Sequence, residues 1–164
     1  MSLSAEQLTA AYLTYHERLL RFCVTLCGNE THAQDVVAQV WYELVRMADR
    51  YEERGHPLSA WLFRTARSRC IDAQRVAQRR PTMPLHDHDT LIHADSCEAV
   101  VVEAVQIQHL FHRLSTRHAQ VLYLRFIDDR SLPETAQLLG LTLGATKALQ
   151  HRALTHLRKE DAHA

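Results

Sequence analysis

Apolar residues recur every three or four positions along most of this chain, the spacing that gathers them on one side of an α-helix. From Ala5 to Leu26 they are Leu8, Tyr12, Tyr15, Leu19, Phe22, Cys23 and Leu26. Gly28-Asn29 interrupts the stripe. Thr31-x-x-Gln34 then has the form of a capping box, in which side chains satisfy the unpaired N–H groups of a helix start. A second stripe follows in Ala33, Val36, Val37, Val40, Trp41, Leu44, Val45 and Ala48, and Arg54-Gly55-His56-Pro57 reads as a turn. A third helix is expected from Leu58 to Arg79, with Leu62, Ala66, Cys70, Ala73 and Ala77 facing inward, until Pro81 and Pro84 stop it.

Residues 81 to 97 are polar and acidic with little periodicity, the pattern of a linker. Helical spacing resumes at Val101, Val105, Gln108, Phe111 and Leu114, and another helix is expected from Thr116 to Ile127, ended by Asp128-Asp129-Arg130. No stretch alternates like a strand, and the chain has only four glycines. The expected fold is therefore all-α. It has two small helical domains, residues 5–80 and 99–160, joined by a flexible acidic linker at 81–98.

The last segment carries a sharper pattern. Ser131-x-x-Glu134 is a capping box opening a helix from Leu132 to Leu139, with Pro133 in its first turn, where a missing N–H costs little. Gly140 stands where the chain must turn in the left-handed region, and Thr142 can cap the next helix. Two short helices joined by such a turn form the DNA-reading helix-turn-helix, whose second helix enters the major groove. Thr142, Ala145, Thr146, Lys147, Gln150 and His151 are its expected outward side chains. Ala136, Leu139, Leu141 and Leu154 are its expected core. An ordinary helical hairpin with no DNA role fits the same pattern.

Charge alters this picture. The 164-residue chain has 19 Lys+Arg and 19 Asp+Glu, so its net charge is zero with histidine neutral. That balance argues against a nucleic-acid partner until it is resolved along the chain. Residues 1–60 sum to about −3, 61–80 to about +5, 81–105 to about −5 and 106–164 to about +3. The +5 block is the third helix, where Arg64, Arg67, Ser68, Arg75 and Arg79 share one face at 100° per residue. Tyr51, Trp61 and Phe63 add aromatic surface near its start. Arginines interleaved with aromatics suit single-stranded bases; a solvated basic face with Trp61 and Phe63 in the core is the plainer reading.

The order of these motifs resembles the sigma-70 family of RNA polymerase sigma factors, in its extracytoplasmic-function (ECF, group IV) form. Tyr15-His-Glu-Arg-Leu-Leu-Arg-Phe, Ala33-Gln-Asp-Val-Val-Ala-Gln-Val-Trp, Ser59-Ala-Trp-Leu-Phe-Arg-Thr-Ala-Arg and Ile71-Asp-x-x-Arg75 resemble sigma region 2. Leu114-Ser-x-Arg, Glu134-Thr-Ala-x-Leu-Leu-Gly-Leu-Thr and Gly144-Ala-Thr-Lys-Ala-Leu-Gln-His-Arg resemble region 4.

The resemblance implies a non-catalytic initiation factor without a cofactor. Its partners would be core RNA polymerase through the β′ and β subunits, promoter DNA and an inhibitory anti-sigma factor. Asp35, Val36, Gln39, Val40, Trp41 and Tyr42 would dock on the β′ coiled coil. Tyr51, Ser59, Trp61, Arg64, Arg67, Ser68, Arg75 and Arg79 would melt and capture the −10 element, trading base stacking for a protein pocket. Thr142, Gly144, Ala145, Thr146, Lys147, Gln150, His151 and Arg152 would read the −35 duplex. The chain departs from the family where Ala38-Gln39 replaces a carboxylate-bearing pair, where Ser68 replaces a common Asn, and where Ala145-Thr146 replaces Thr-Val.

Other classes are weaker. A dimeric helix-turn-helix regulator of duplex operators would use the last segment but has no need of a basic-aromatic N-terminal helix. A sigma-like module repurposed for partner binding is a third reading. His86, His88, His93 and Cys97 form a loose set of soft ligands without the paired spacing of a zinc site, so no metal is assigned. Cys23 and Cys27 are expected in or beside the core as free thiols. No phosphate loop, zinc-protease motif or nucleophile elbow is present, and no apolar run is long enough to span a membrane. Without a leader-like N-terminus, a cytoplasmic protein is expected.

Overall fold

The computed structural model describes residues 2–79 and 109–163. Helix α1 spans Ala5–Cys27 and is opened by a capping box between Ser4 and Gln7. It ends at Gly28, whose φ of 66° only glycine adopts without strain. Helix α2 spans Glu30–Met47 and starts ahead of the sequence expectation. Its cap is Asn29, which accepts from the His32 N–H, so Thr31 lies inside the first turn. Helix α3 runs Leu58–Arg79. Leu19, Phe22, Val36, Val37, Val40, Leu44, Leu62, Phe63 and Ala66 fill the core between these three helices. Arg69 bridges to Glu43 at 2.6 Å and ties α3 to α2 from outside.

The C-terminal half begins with helical residues 109–112 and continues as α4, Thr116–Leu122, capped by Ser115. A single π turn, Tyr123–Ile127, leads into Asp128-Asp129, where Asp129 has φ 56°. Helix α5, Leu132–Leu139, carries the expected reciprocal box between Ser131 and Glu134. The Ser131 backbone N–H, and then its hydroxyl, hold the Glu134 carboxylate below the usual carboxylate range. Gly140 turns the chain at φ 67°, and Thr142 caps α6, Leu143–Asp161. The helix-turn-helix therefore forms on its own local signals.

The two halves are not separate bodies here. Ala119, Val121, Tyr123, Leu124, Leu138 and Leu139 of the second half belong to the same buried cluster as the N-terminal core. Phe22 sits at the join, edge-on to Phe63 at 5.2 Å and to Tyr123 at 5.8 Å between ring centroids. Burial pushes the Tyr123 phenol well above its ordinary range. The expected linker at 81–98, with His86, His88, His93 and Cys97, lies outside the described residues, as do the helical positions Val101 and Val105.

Candidate nucleic-acid and polymerase interface

Three surfaces were expected to carry function, and burial sorts each of them. On α2 the periodicity divides the expected docking residues into two sets. Val36 and Val40 point into the core and hold the helix down. Asp35, Gln39 and Tyr42 are exposed, Tyr42 by 62%. Val45, also exposed, extends this stripe by one residue that sequence reasoning did not single out. Trp41 is half-buried and fixed. Its indole N–H donates to His16 Nδ1 at 3.1 Å, and Tyr12 stacks on that imidazole at 4.4 Å. The exposed stripe of α2 is therefore Asp35, Gln39, Tyr42 and Val45 beside an oriented Trp41, while Val36 and Val40, expected at a contact, are core.

On α3 the expected basic face is divided along its length. Tyr51, placed by expectation on this face, is buried in the core instead, since it directly follows the short turn Ala48–Arg50 that ends α2 and packs into the same apolar cluster as Leu44 and Ala60. Burial, with Glu53 nearby, raises its phenol. Ser59 and Trp61 are half-buried, Trp61 against the core. Ser68, Arg75 and Arg79 are exposed. Arg64 and Arg67 are not. Arg64 Nη2 donates to the Gln137 carbonyl at 3.0 Å, and Arg67 Nη1 reaches the Leu139 carbonyl at 3.4 Å. Both acceptors belong to the C-terminal turn of α5, where carbonyls carry partial negative charge. Gly140 makes the approach possible, since a Cβ there would meet Arg64 Nε at 2.9 Å. Burial, and then the charge of Arg117, lower the pKa of the Arg67 guanidinium.

On α6 the expected reading residues fall on two sides. Gly144, Lys147, His151 and Arg152 are exposed on one face, and Leu143 and Ala148 share it. Thr142 spends its hydroxyl on the Ala145 N–H as the helix cap. Thr146 is a correction. It is fully buried, with its hydroxyl on the Thr142 carbonyl at 2.9 Å, because four residues from the cap a side chain points back into the helix pair. Ala145 is half-buried. Gln150 also turns inward and accepts from Arg125 Nε at 2.9 Å. The exposed set on this helix is then Gly144, Lys147, Ala148, His151 and Arg152. Among the core residues expected for this motif, Ala136 and Leu139 are buried and Leu141 and Leu154 are half-buried.

The thiols are a smaller matter. Cys23 and Cys70 are buried, and Cys27 lies 3.3 Å from Cys70 between sulfurs. The sulfur contact and burial raise the Cys27 thiol far above its ordinary range. Among the described residues no cluster of His, Cys, Asp or Glu has the geometry of a metal site. No described helix is long and apolar enough to cross a membrane.

This geometry agrees with comparisons against known proteins. Residues 11–80 match the sigma-70 region 2 model and residues 110–159 the sigma-70 region 4 model. The chain is 31% identical over 150 residues to the ECF RNA polymerase sigma factor SigD of Mycobacterium tuberculosis, covering 87% of this chain and 71% of that one. It is 30% identical over 156 residues to the ECF RNA polymerase sigma factor ShbA of Streptomyces griseus, covering 87% and 81%. Among solved structures, CnrH in complex with the cytosolic domain of CnrY superposes with TM-score 0.71 at 23% identity, over 98% of this chain and 92% of that one. RpoE of Bartonella quintana, solved with the anti-sigma factor NepR, gives TM-score 0.66 at 19% identity, over 92% and 94%. These two show the likeness of fold.

Proposed function

The chain belongs to the ECF type of the sigma-70 family, and from that premise we propose how its surfaces divide the work of promoter recognition. It is a non-enzymatic factor that binds core RNA polymerase and directs transcription from promoters. The region 2 match favours this reading over the alternative of a dimeric operator-binding regulator, which has no use for that region.

In the proposed division, residues 5–80 form the polymerase-binding and −10 half. The exposed α2 stripe of Asp35, Gln39, Tyr42 and Val45, with Trp41 held by His16, docks on β′. Trp61, Arg64, Arg67, Ser68, Arg75 and Arg79 on α3, with Ser59 at its start, hold the melted −10 strand. Residues 99–160 form the −35 half, in which Lys147 and Arg152 take phosphates and base edges beside Gly144, Ala148 and His151. The protein works in the cytoplasm, and an anti-sigma protein is its inhibitory partner, as CnrY and NepR are paired with CnrH and RpoE.

The observation that carries this reading is the exposed basic face of α6 on a fully capped helix-turn-helix, set on the same chain as an exposed docking stripe on α2. Gel filtration with core polymerase followed by transcription on promoter DNA tests it. Co-elution that Tyr42→Ala weakens, with promoter-specific RNA, is expected. Tight binding to duplex DNA without co-elution and without RNA would sink it.

A further inference from the structure

We infer that His16 is a positioning residue for polymerase docking, one that holds the Trp41 indole in its binding orientation only while the imidazole is neutral. The inference rests on the proposed docking of the α2 stripe. It adds a residue of another helix, acting through Trp41, and a proton that decides whether the contact is set.

Three rings meet on the seam between α1 and α2. Tyr12 and His16 are four residues apart on α1, so they share a face. Their rings stack at 4.4 Å between centroids, with 22° between planes. Trp41 of α2 closes the group, 5.2 Å from the Tyr12 ring and 6.4 Å from the His16 ring. One directional bond holds it there, from the indole N–H to His16 Nδ1 at 3.1 Å. An indole N–H can only donate, so Nδ1 presents a lone pair and the neutral ring keeps its proton on Nε2. The stack on Tyr12 fixes the imidazole, and the imidazole fixes the indole.

The position of Trp41 makes this matter. It stands between Val40, which is core, and Tyr42, which is exposed, and is itself half-buried. Part of its surface therefore stays open beside Asp35, Gln39, Tyr42 and Val45. Large aromatic rings carry much of the energy of protein interfaces. A ring already locked in place loses less freedom on binding. An indole N–H deprived of its acceptor turns toward water instead, and the ring leaves the orientation that the seam gave it.

A proton on Nδ1 does this directly. It converts the acceptor into a donor, and two donors cannot share a hydrogen bond. The imidazolium keeps its place on the Tyr12 face, where a cation is favoured, but releases Trp41. From α2 the group facing the imidazole is the Trp41 indole, and from α1 it is the Tyr12 phenol. The charged side chains nearby on the two helices have other partners. Glu17 pairs with Arg21, Arg18 with Asp128 and Glu43 with Arg69, and Arg46 lies over the Tyr42 ring.

The test uses the full chain, core RNA polymerase and transcription from promoter DNA. H16F keeps a ring against Tyr12 but has no acceptor, and H16Q keeps an acceptor that does not titrate. At neutral pH, H16F should raise the factor concentration for half-maximal transcription about tenfold, the effect of one hydrogen bond, while transcription at saturation holds. H16Q should restore affinity to within about twofold of the wild type. In a W41F background, which has no indole N–H, H16F should change nothing further. From about pH 7.5 to about pH 5.5, where histidines change charge, the wild type should lose affinity relative to H16Q. The ratio between the two is the quantity to follow, because the remaining histidines are common to both. In the free W61F chain Trp41 is the one tryptophan left, and its emission should move to longer wavelength over the same interval. In W61F with H16Q it should not. Should H16F lose helix by circular dichroism, the pH comparison of wild type with H16Q carries the test. Equal affinity of wild type and H16F, an H16F effect that persists in the W41F background, or a pH dependence shared by H16Q would each overturn the inference. Failure of the wild type to assemble with core polymerase would overturn the proposed function instead, and the emission of the free chain reads the bond between His16 and Trp41 without polymerase.

Discussion

Helices α3 and α6 are both basic and both assigned to promoter DNA, yet the fold leaves them in opposite states. On α6, Lys147, His151 and Arg152 stand in solvent, and the helix is held from behind by Thr146, Leu149 and Ala153. On α3, Ser68, Arg75 and Arg79 are open, but Arg64 and Arg67 are engaged by the end of α5. On the proposed division of work, the difference follows from what each helix would read. A groove reader meets a preformed duplex, so its face can stand ready. A strand binder meets DNA only after melting, and until then its arginines are left to find partners within the chain.

The largest test of this comparison is Phe22→Ala. Phe22 is fully buried and touches Phe63 on the α3 side and Tyr123 on the helix-turn-helix side. Removing its ring should cost about 3–5 kcal/mol in urea unfolding, and both halves should melt in one transition. A loss confined to the first half, with α4 to α6 unfolding independently as before, would show that the halves do not share a core.

Next in size is the open face. The double change Lys147→Ala with Arg152→Ala should reduce the slope of log affinity against log salt by about two for duplex DNA. It should leave single-strand affinity unchanged, because neither residue touches α3. An equal loss for both DNA forms would mean that the two faces act as one basic surface and that the contrast drawn above is wrong.

How much of this could be read from residues alone depends on range. Caps and turns are local, and they were legible. Ser131 with Glu134, Gly140 and Thr142 all act as their spacing predicts. Even the one displaced cap is a local ambiguity, since Asn29 and Thr31 are both good N-caps and Asn29 follows directly on the left-handed Gly28. The family resemblance assigned roles to whole helices and did not choose faces. It therefore gives contact roles to Val36, Val40, Tyr51 and Thr146, all of which the fold buries. The corrective signal was present for three of them: Val36 and Val40 fall in line with Val37 and Leu44, and Thr146 lies seven residues from Ala153. The joint between the halves was not legible. Arg18 and the Asp128 carboxylate it pairs with are 110 residues apart, and Arg64 and Gln137 are 73 apart. No periodicity links partners at such distances, and block charges describe segments without saying which will meet.

The smallest expected effect is also the most specific to the joint. Burial alone would raise the Asp128 carboxyl, but the hydrogen bonds and charges of Arg18 and Arg130 outweigh it and hold the group below the ordinary value near 3.8. A carboxylate depressed in the folded state adds stability that is fully present above the unfolded value. That contribution is lost as pH falls through the folded one. The stability difference between wild type and D128N should therefore be constant from pH 7 down to about pH 5. It should shrink below about pH 4 and vanish once Asp128 is protonated in both states. Because other carboxylates titrate over the same range, the difference between the two proteins is the quantity to follow, by urea unfolding at each pH. A gap that persists below about pH 3 would mean that Asp128 acts through the shape of the turn rather than its charge. The joint would then have to be held by the apolar contact of Phe22 with Tyr123.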